Sequence, residues 1–271
     1  MTQKNSLVGI IHHLNGGPDL PDENYLTTAT SGMLKYAATQ KGDPERVLDA
    51  IKTSKRLGLD LLVGPEFALV AQENFPYASV EARDLLNALR EETEGSQTLV
   101  LPGTMVVYTK SGYLYNVMPV LQNGRIRHVC FKSSDGGSSD FRPRGERVFP
   151  VEHFQDVLRT SRNGLFSSGE VRIGVEICSD WGYLYDQGVT GLDVQVHSCM
   201  GGDQTYSVLR KGGYLVYADE YSKRHFVRRP VQAFPPGKFS LDESWSYDEV
   251  KPSQEPNENL TVYELPERLS F

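Results

Sequence analysis

The sequence predicts an α/β layered domain organised on a mixed sheet, and three observations predict it. Short β-branched apolar runs alternate with stretches of helical period. One pair of apolar runs is joined by Asn123-Gly124, the dipeptide that favours the tight turn of an antiparallel hairpin. The 271 residues, 39% of them apolar, suffice for one large core without a second domain. The whole chain, 1–271, is therefore read as a single domain.

Leu7–Ile11 is the first buried strand, followed by a polar stretch from His12 to about Gln40 that Gly16, Gly17, Pro18 and Pro21 mark as loop. Asp43-Pro44-Glu45 opens a helix: Asp43 caps, Pro44 suits the first turn and Glu45 complements the dipole. Val47, Leu48, Ile51 and Leu57 form its apolar stripe and Gly58 ends it. Leu59–Val63 is the next strand, stopped by Gly64-Pro65, and Val80–Glu94 is a second helix. Thr98–Leu101 and Met105–Tyr108 read as strand around Pro102-Gly103, and Leu114–Leu121 with Arg125–Phe131 as the hairpin. Beyond the Gly/Ser-rich loop Ser133–Ser139, Val171–Ile177, Leu192–His197 and Tyr214–Tyr217 are strands, and Tyr206–Arg210 is expected to be helical. Proline and charge dominate about 234–259, which is expected to be an extended C-terminal segment before a last strand, Leu260–Leu265.

Charge and cysteine usage exclude several classes. A formal net charge of -7 argues against a phosphate-binding surface, so no nucleic-acid partner is expected, and the basic run at Lys223, Arg224 and His225 reads as a solvated face. No apolar run is long enough to span a membrane, and Met1–Ser6 has no signal-peptide architecture. Three cysteines, Cys130, Cys178 and Cys199, are too few for a disulfide framework, so a cytoplasmic protein with reduced thiols is expected. His12 and His13 are adjacent and would point to opposite strand faces, so no metal site is supported.

Three segments each place a reactive side chain just beyond an apolar strand, where a rigid sheet can aim it. Glu66 follows Leu61-Leu62-Val63-Gly64-Pro65, Lys132 follows the second hairpin strand, and Cys178 follows Arg172–Ile177 and precedes Ser179-Asp180. A free thiol attacks poorly at neutral pH and needs a base or cation beside it. The competing reading of Cys178 is a small core residue, which is the reading adopted for Cys130. Cys199 stands at another strand end and is expected to line a pocket. Trp181 and Tyr183 either wall the same pocket or pack the next helix.

These segments resemble the three signatures of the nitrilase superfamily, whose members hydrolyse or condense non-peptide carbon–nitrogen bonds with a Glu–Lys–Cys triad. Gly64-Pro65-Glu66-Phe67 is similar to the glutamate segment, Tyr115-Asn116 through Asn123-Gly124 to Lys132 to the lysine segment, and Val175-Glu176-Ile177-Cys178-Ser179-Asp180 to the nucleophile segment. Leu101-Pro102-Gly103-Thr104 and Leu260–Leu265 also resemble family elements. Any one motif is weak; three in order are specific.

The resemblance implies a four-layer α-β-β-α sandwich paired as a homodimer or higher homo-oligomer. It implies a small-molecule amide, carbamoyl or nitrile substrate, a Cys178 thioester and no cofactor. Glu66 would be general base and acid, and Lys132 with the backbone N–H of Ser179 would hold the oxyanion. Tyr115, Asn116, Ser179, Trp181, Tyr183 and Cys199 are the expected substrate contacts. Glu146, in Gly145-Glu146-Arg147, either matches a second family glutamate or is a surface acid between Arg144 and Arg147. Two departures stand out: the long His12–Gln40 stretch, and Trp181–Tyr185 where the family carries Pro-Glu. The same triad would also serve acyl or amidino transfer to an amine, and a catalytically silent ligand-binding relative is the reading from another class.

Overall fold

The computed structural model describes residues 5–12, 42–70, 77–108, 114–132, 164–199, 204–219, 224–230, 237–240, 247–253 and 259–271. Leu7–Ile11 forms strand β1, and the helix after it, α1 (Pro44–Leu57), starts where its sequence places it. The Asp43 side chain accepts from the Arg46 backbone N–H, and Gly58 closes the helix at φ 68°, a left-handed cap that suits glycine. Strand β2 (Leu61–Val63), the short β3 (Tyr77–Ala78), helix α2 (Ser79–Thr93), β4 (Leu99–Leu101) and β5 (Met105–Tyr108) follow. The hairpin is β6 (Leu114–Gln122) and β7 (Arg125–Phe131), turned by Asn123 and Gly124, both at positive φ.

These strands build the first sheet. β1, β2 and β4 run parallel at its centre, and β16 (Leu260–Glu264) closes one side antiparallel to β1. β4 and β5 are successive halves of one line, because Val100 pairs with Leu121 of β6 and Met105 pairs with Val117 of β6. The break between them, Pro102–Thr104, becomes part of the site. The second sheet has the order β15 (Tyr247–Val250), β13 (Arg224–Pro230), β12 (Leu209–Asp219), β10 (Leu192–Cys199), β9 (Val171–Ile177), β8 (Leu165–Ser168). Its central strands β9, β10 and β12 are parallel.

Alternation along the strands stacks the layers. Val8, Ile10, Leu61, Val63 and Leu101 of the first sheet meet Ile173, Val175, Val194, Val196 and Val216 of the second. On the opposite face, Ile11, Leu62 and Val100 pack beneath Val47 and Ile51 of α1 and Ala82, Leu86 and Leu89 of α2. The outer face of the second sheet carries Leu184 of the single-turn helix α3 (Tyr183–Asp186), packed with Val189, Leu192 and Val208. A ribbon of β11 (Gln204–Ser207) and β14 (Gly237–Ser240) lies beside it. The order is α-β-β-α, and among the described residues the fourth layer is this helical turn and ribbon.

One expectation is corrected. Tyr206–Arg210 is not helical but belongs to β11 and β12. The cause is tertiary: the Gln195 side chain donates to the Tyr206 carbonyl and accepts from the Val208 N–H, holding the segment extended against β10. Within the stretch 234–259, the described residues include β14 and β15, and Pro252 bridges to Tyr263.

Candidate active site

Glu66 stands on a turn that two glycines make possible. The Gly64 N–H donates to the Leu101 carbonyl at 2.7 Å, and a Cβ at Gly64 would lie 2.4 Å from the Pro102 oxygen. Gly103 has φ 96°, and its Cβ would come within 2.3 Å of the Pro65 oxygen. The β4–β5 break therefore receives the Glu66 turn backbone to backbone. Thr104 locks it, its hydroxyl accepting from Phe67 N–H at 2.8 Å and its carbonyl from Leu69 N–H at 3.1 Å. Phe67 is held at φ 63°. From the second sheet, the Ser198 hydroxyl donates to the Gly64 carbonyl at 3.0 Å.

Lys132 follows β7, its backbone N–H bonded to the Asn116 carbonyl at 2.9 Å. Its ammonium donates to Glu66 Oε1 at 2.6 Å, and Asn116 Nδ2 donates to the same oxygen at 2.8 Å. Glu66 and Lys132 are only 1% and 6% exposed, so water contributes little screening. Burial pushes the Lys132 amine down, but the surrounding Glu66, Cys178 and Asp180 more than offset this and raise it. It is a charged lysine.

Cys178 lies at the end of β9, at φ 47°, and begins the turn Cys178–Asp180. A non-glycine residue in that conformation is strained, which aims the side chain out of the strand line. Trp181 N–H and His197 Nε2 both bond the Cys178 carbonyl, at 3.2 and 3.0 Å. Burial lowers His197 to about 4, so it is neutral and donates through Nε2–H. Cys178 is half-buried, and its sulfur bears electrostatically on Lys132. Glu66, Lys132, Cys178 and Asn116 thus converge at the strand ends of both sheets.

The other expected residues divide. Asn116 touches Glu66 rather than open space, so in this structure it orients the carboxylate. Tyr115, its neighbour on the strand, faces the opposite way, into the helix-side core against Phe131. Trp181 stacks on Tyr206 at 5.7 Å and Tyr183 packs on the outer cluster, so both belong to the fourth layer next to Cys178. Cys199 is fully buried beside Cys178, together with Tyr217 and Phe226. Ser179 contributes backbone to the turn after Cys178. Glu146 lies outside the described residues. Cys130 is buried between the sheets, which pushes its thiol up.

Sequence reading gave no role to the polar groups beneath Cys178. Glu176, Gln195, His197, Tyr217 and Asp219 are all buried on the outer face of the second sheet. Glu176 accepts from Leu184 N–H at 3.2 Å and from Gln195 Nε2 at 2.9 Å, and burial raises it to about 7. The signal was present: Gln195, His197 and Cys199 recur at every second position of a strand too apolar to face water.

No family model and no curated protein sequence matches this chain. Solved structures do. The amidase from Nesterenkonia sp. superposes over 99% of this chain and 93% of its own, at 14% identity and TM-score 0.54. The glutamine-dependent NAD+ synthetase of Acinetobacter baumannii superposes over 94% of this chain at 15% identity and TM-score 0.52. This chain spans about half of that synthetase, 49%. Both are nitrilase-superfamily proteins. The chain has the nitrilase-superfamily fold. The expected four-layer order of the nitrilase sandwich is thereby met. Among the described residues no helix is long and apolar enough to cross a membrane, and no group of three or more His, Cys, Asp or Glu gathers as a metal site.

Proposed function

We propose that this protein is a thiol-dependent hydrolase of small non-peptide carbon–nitrogen bonds, acting on an amide, carbamoyl compound or nitrile through a thioester at Cys178. The observation that carries the reading is the desolvated Lys132–Glu66 pair beside a strained strand-end cysteine. A stability role alone explains it poorly, because a buried ion pair stabilises a fold no better than apolar residues of the same size. Support comes from a glutamate-to-glutamine variant of the Nesterenkonia sp. AN1 amidase, which carries the acetamide moiety of fluoroacetamide at its active-site cysteine.

For an amide, Glu66 takes the thiol proton as sulfur attacks the carbonyl carbon. The oxyanion forms against Lys132 and the Ser179 backbone N–H, donors fixed in place before the reaction. Glu66 returns its proton to the departing nitrogen, which leaves a thioester and frees the amine or ammonia. Water then attacks the thioester with Glu66 again as base, the acid departs, and the thiol is reprotonated. His197 holds the Cys178 carbonyl and carries no proton in this cycle.

Ammonia release from a panel of small amides and nitriles, glutamine included, tests the reading. Turnover by the native chain and loss of at least about a thousandfold in Cys178→Ala is the expected result. A folded native chain that turns over nothing, or a Cys178→Ala variant that keeps its rate, would leave only a ligand-binding role.

A further inference from the structure

Cys199 is the second thiol at this site, and the hydrolytic cycle does not use it. The strands β10 and β9 are parallel neighbours whose last paired couple is Ser198 and Ile177. Cys199 ends β10 and Cys178 opens the turn after β9, each one step beyond that couple, where the strands stand about 5 Å apart at the usual spacing. That lies within the Cα separation of about 4.4–6.8 Å that a disulfide spans. The side chains meet as well: Cys178 packs on the buried group of Cys199, Leu215, Tyr217 and Phe226. Both are reduced in this structure.

We propose that Cys178 and Cys199 form a hydroperoxide-responsive dithiol in which Cys199 resolves the sulfenic acid of Cys178 as an internal disulfide. In the first step the Cys178 sulfur attacks a peroxide oxygen. The S–O bond forms, the O–O bond breaks, and the leaving hydroxide takes the thiol proton away as water. In the second, the Cys199 sulfur attacks the Cys178 sulfur, the S–S bond forms, and the S–O bond breaks. The hydroxide leaves with the Cys199 proton as a second water. Two electrons pass from the thiol pair to one hydroperoxide. A thiol held beside an activated cysteine suits this step, because resolution then outpaces further oxidation to the irreversible sulfinic acid. The disulfide would close the proposed nucleophile and reduction would reopen it. Burial, with Cys178, Asp219 and Glu66 nearby, raises the Cys199 thiol well above its ordinary range, so it rests protonated.

The inference shares with the proposed function the premise that Cys178 is a reactive thiol, but its test needs no substrate. The full chain is treated with hydrogen peroxide, remaining thiols are blocked with N-ethylmaleimide, and peptides are mapped without reduction. The expected product is a Cys178–Cys199 cross-link, reversed by dithiothreitol, with Cys130 remaining a thiol between the sheets. In Cys199→Ser or Cys199→Ala, whichever gives a native circular dichroism spectrum, Cys178 should advance to sulfinic acid instead. Sulfinic acid at Cys178 of the native chain without a cross-link, or a disulfide to Cys130, would overturn the inference. A Cys178–Cys199 disulfide in a chain that hydrolyses no amide would uphold the dithiol and defeat the hydrolase reading.

Discussion

Glu66 Oε1 receives two hydrogen bonds, from Lys132 and from Asn116, and the consequence can be measured by removing one partner at a time. Lys132→Met leaves a buried carboxylate without its cation, which costs about 3–5 kcal/mol of stability in urea unfolding. It should also abolish turnover, since the oxyanion loses its charged donor. Adding Glu66→Gln removes the stranded charge, so the double variant should regain most of the lost stability while remaining inactive. Stability losses that simply add would mean the two side chains do not act as a pair. Asn116→Ala is a subtler case: it leaves the ion pair and removes the second donor. Turnover should fall while unfolding shifts by only about 1–2 kcal/mol.

At the scale of elements, the site depends on the break between β4 and β5. Gly103→Ala places a Cβ against the Pro65 oxygen at a left-handed φ, so either the break or the Glu66 turn must move. The expected outcome is a loss of about 1–3 kcal/mol in stability with a larger fall in kcat than in substrate affinity. A variant with native kcat would show that the turn tolerates displacement. The sequence made this geometry partly legible. Pro102-Gly103 interrupting one apolar line, Asn123-Gly124 joining two others, and Glu66, Lys132 and Cys178 each one step past a strand are local signals, so they could be read residue by residue. Gln195 bonding the backbone of β11 is not local, and without it Tyr206–Arg210 looks helical. Tyr115 and Asn116 read together as one motif, but adjacent strand residues face opposite layers: Asn116 meets Glu66 and Tyr115 packs on the helix side.

For the molecule as a whole, buried titratable groups set the pH range of stability. His128, His197 and His225 are each lowered by burial from 6.5 to about 4. Their contribution is present above pH 6.5 and is lost as the pH falls toward 4, because the unfolded chain takes up protons that the folded chain refuses. Glu176 is raised from 4.5 to about 7, so its contribution runs the other way and declines as the pH rises from 4.5 to 7. Among the described residues burial lowers His12 as well, so the histidines outweigh the one raised carboxyl. Counting His128, His197 and His225 against Glu176, the unfolded state binds about two more protons between pH 4.5 and 6.5, a slope on the order of 3 kcal/mol per pH unit. Stability should peak near pH 6.5 and fall steeply toward pH 5, as thermal unfolding across that range would reveal. A Tm that is flat from pH 5 to 7 would contradict the burial of these groups. Glu176→Gln should remove the small decline between pH 6.5 and 7 and leave the acid limb in place.

The proposed covalent step at Cys178 is common to every scale, and intact-protein mass spectrometry with rapid acid quench tests it directly. With an amide that the panel identifies as a substrate, the native chain should show an acyl mass that maps to the Cys178 peptide and disappears as substrate is consumed. Glu66→Gln cannot accept a proton, so the same adduct should form more slowly and, once formed, persist. Turnover without any covalent species, or an acyl group mapped to a residue other than Cys178, would contradict the thioester mechanism.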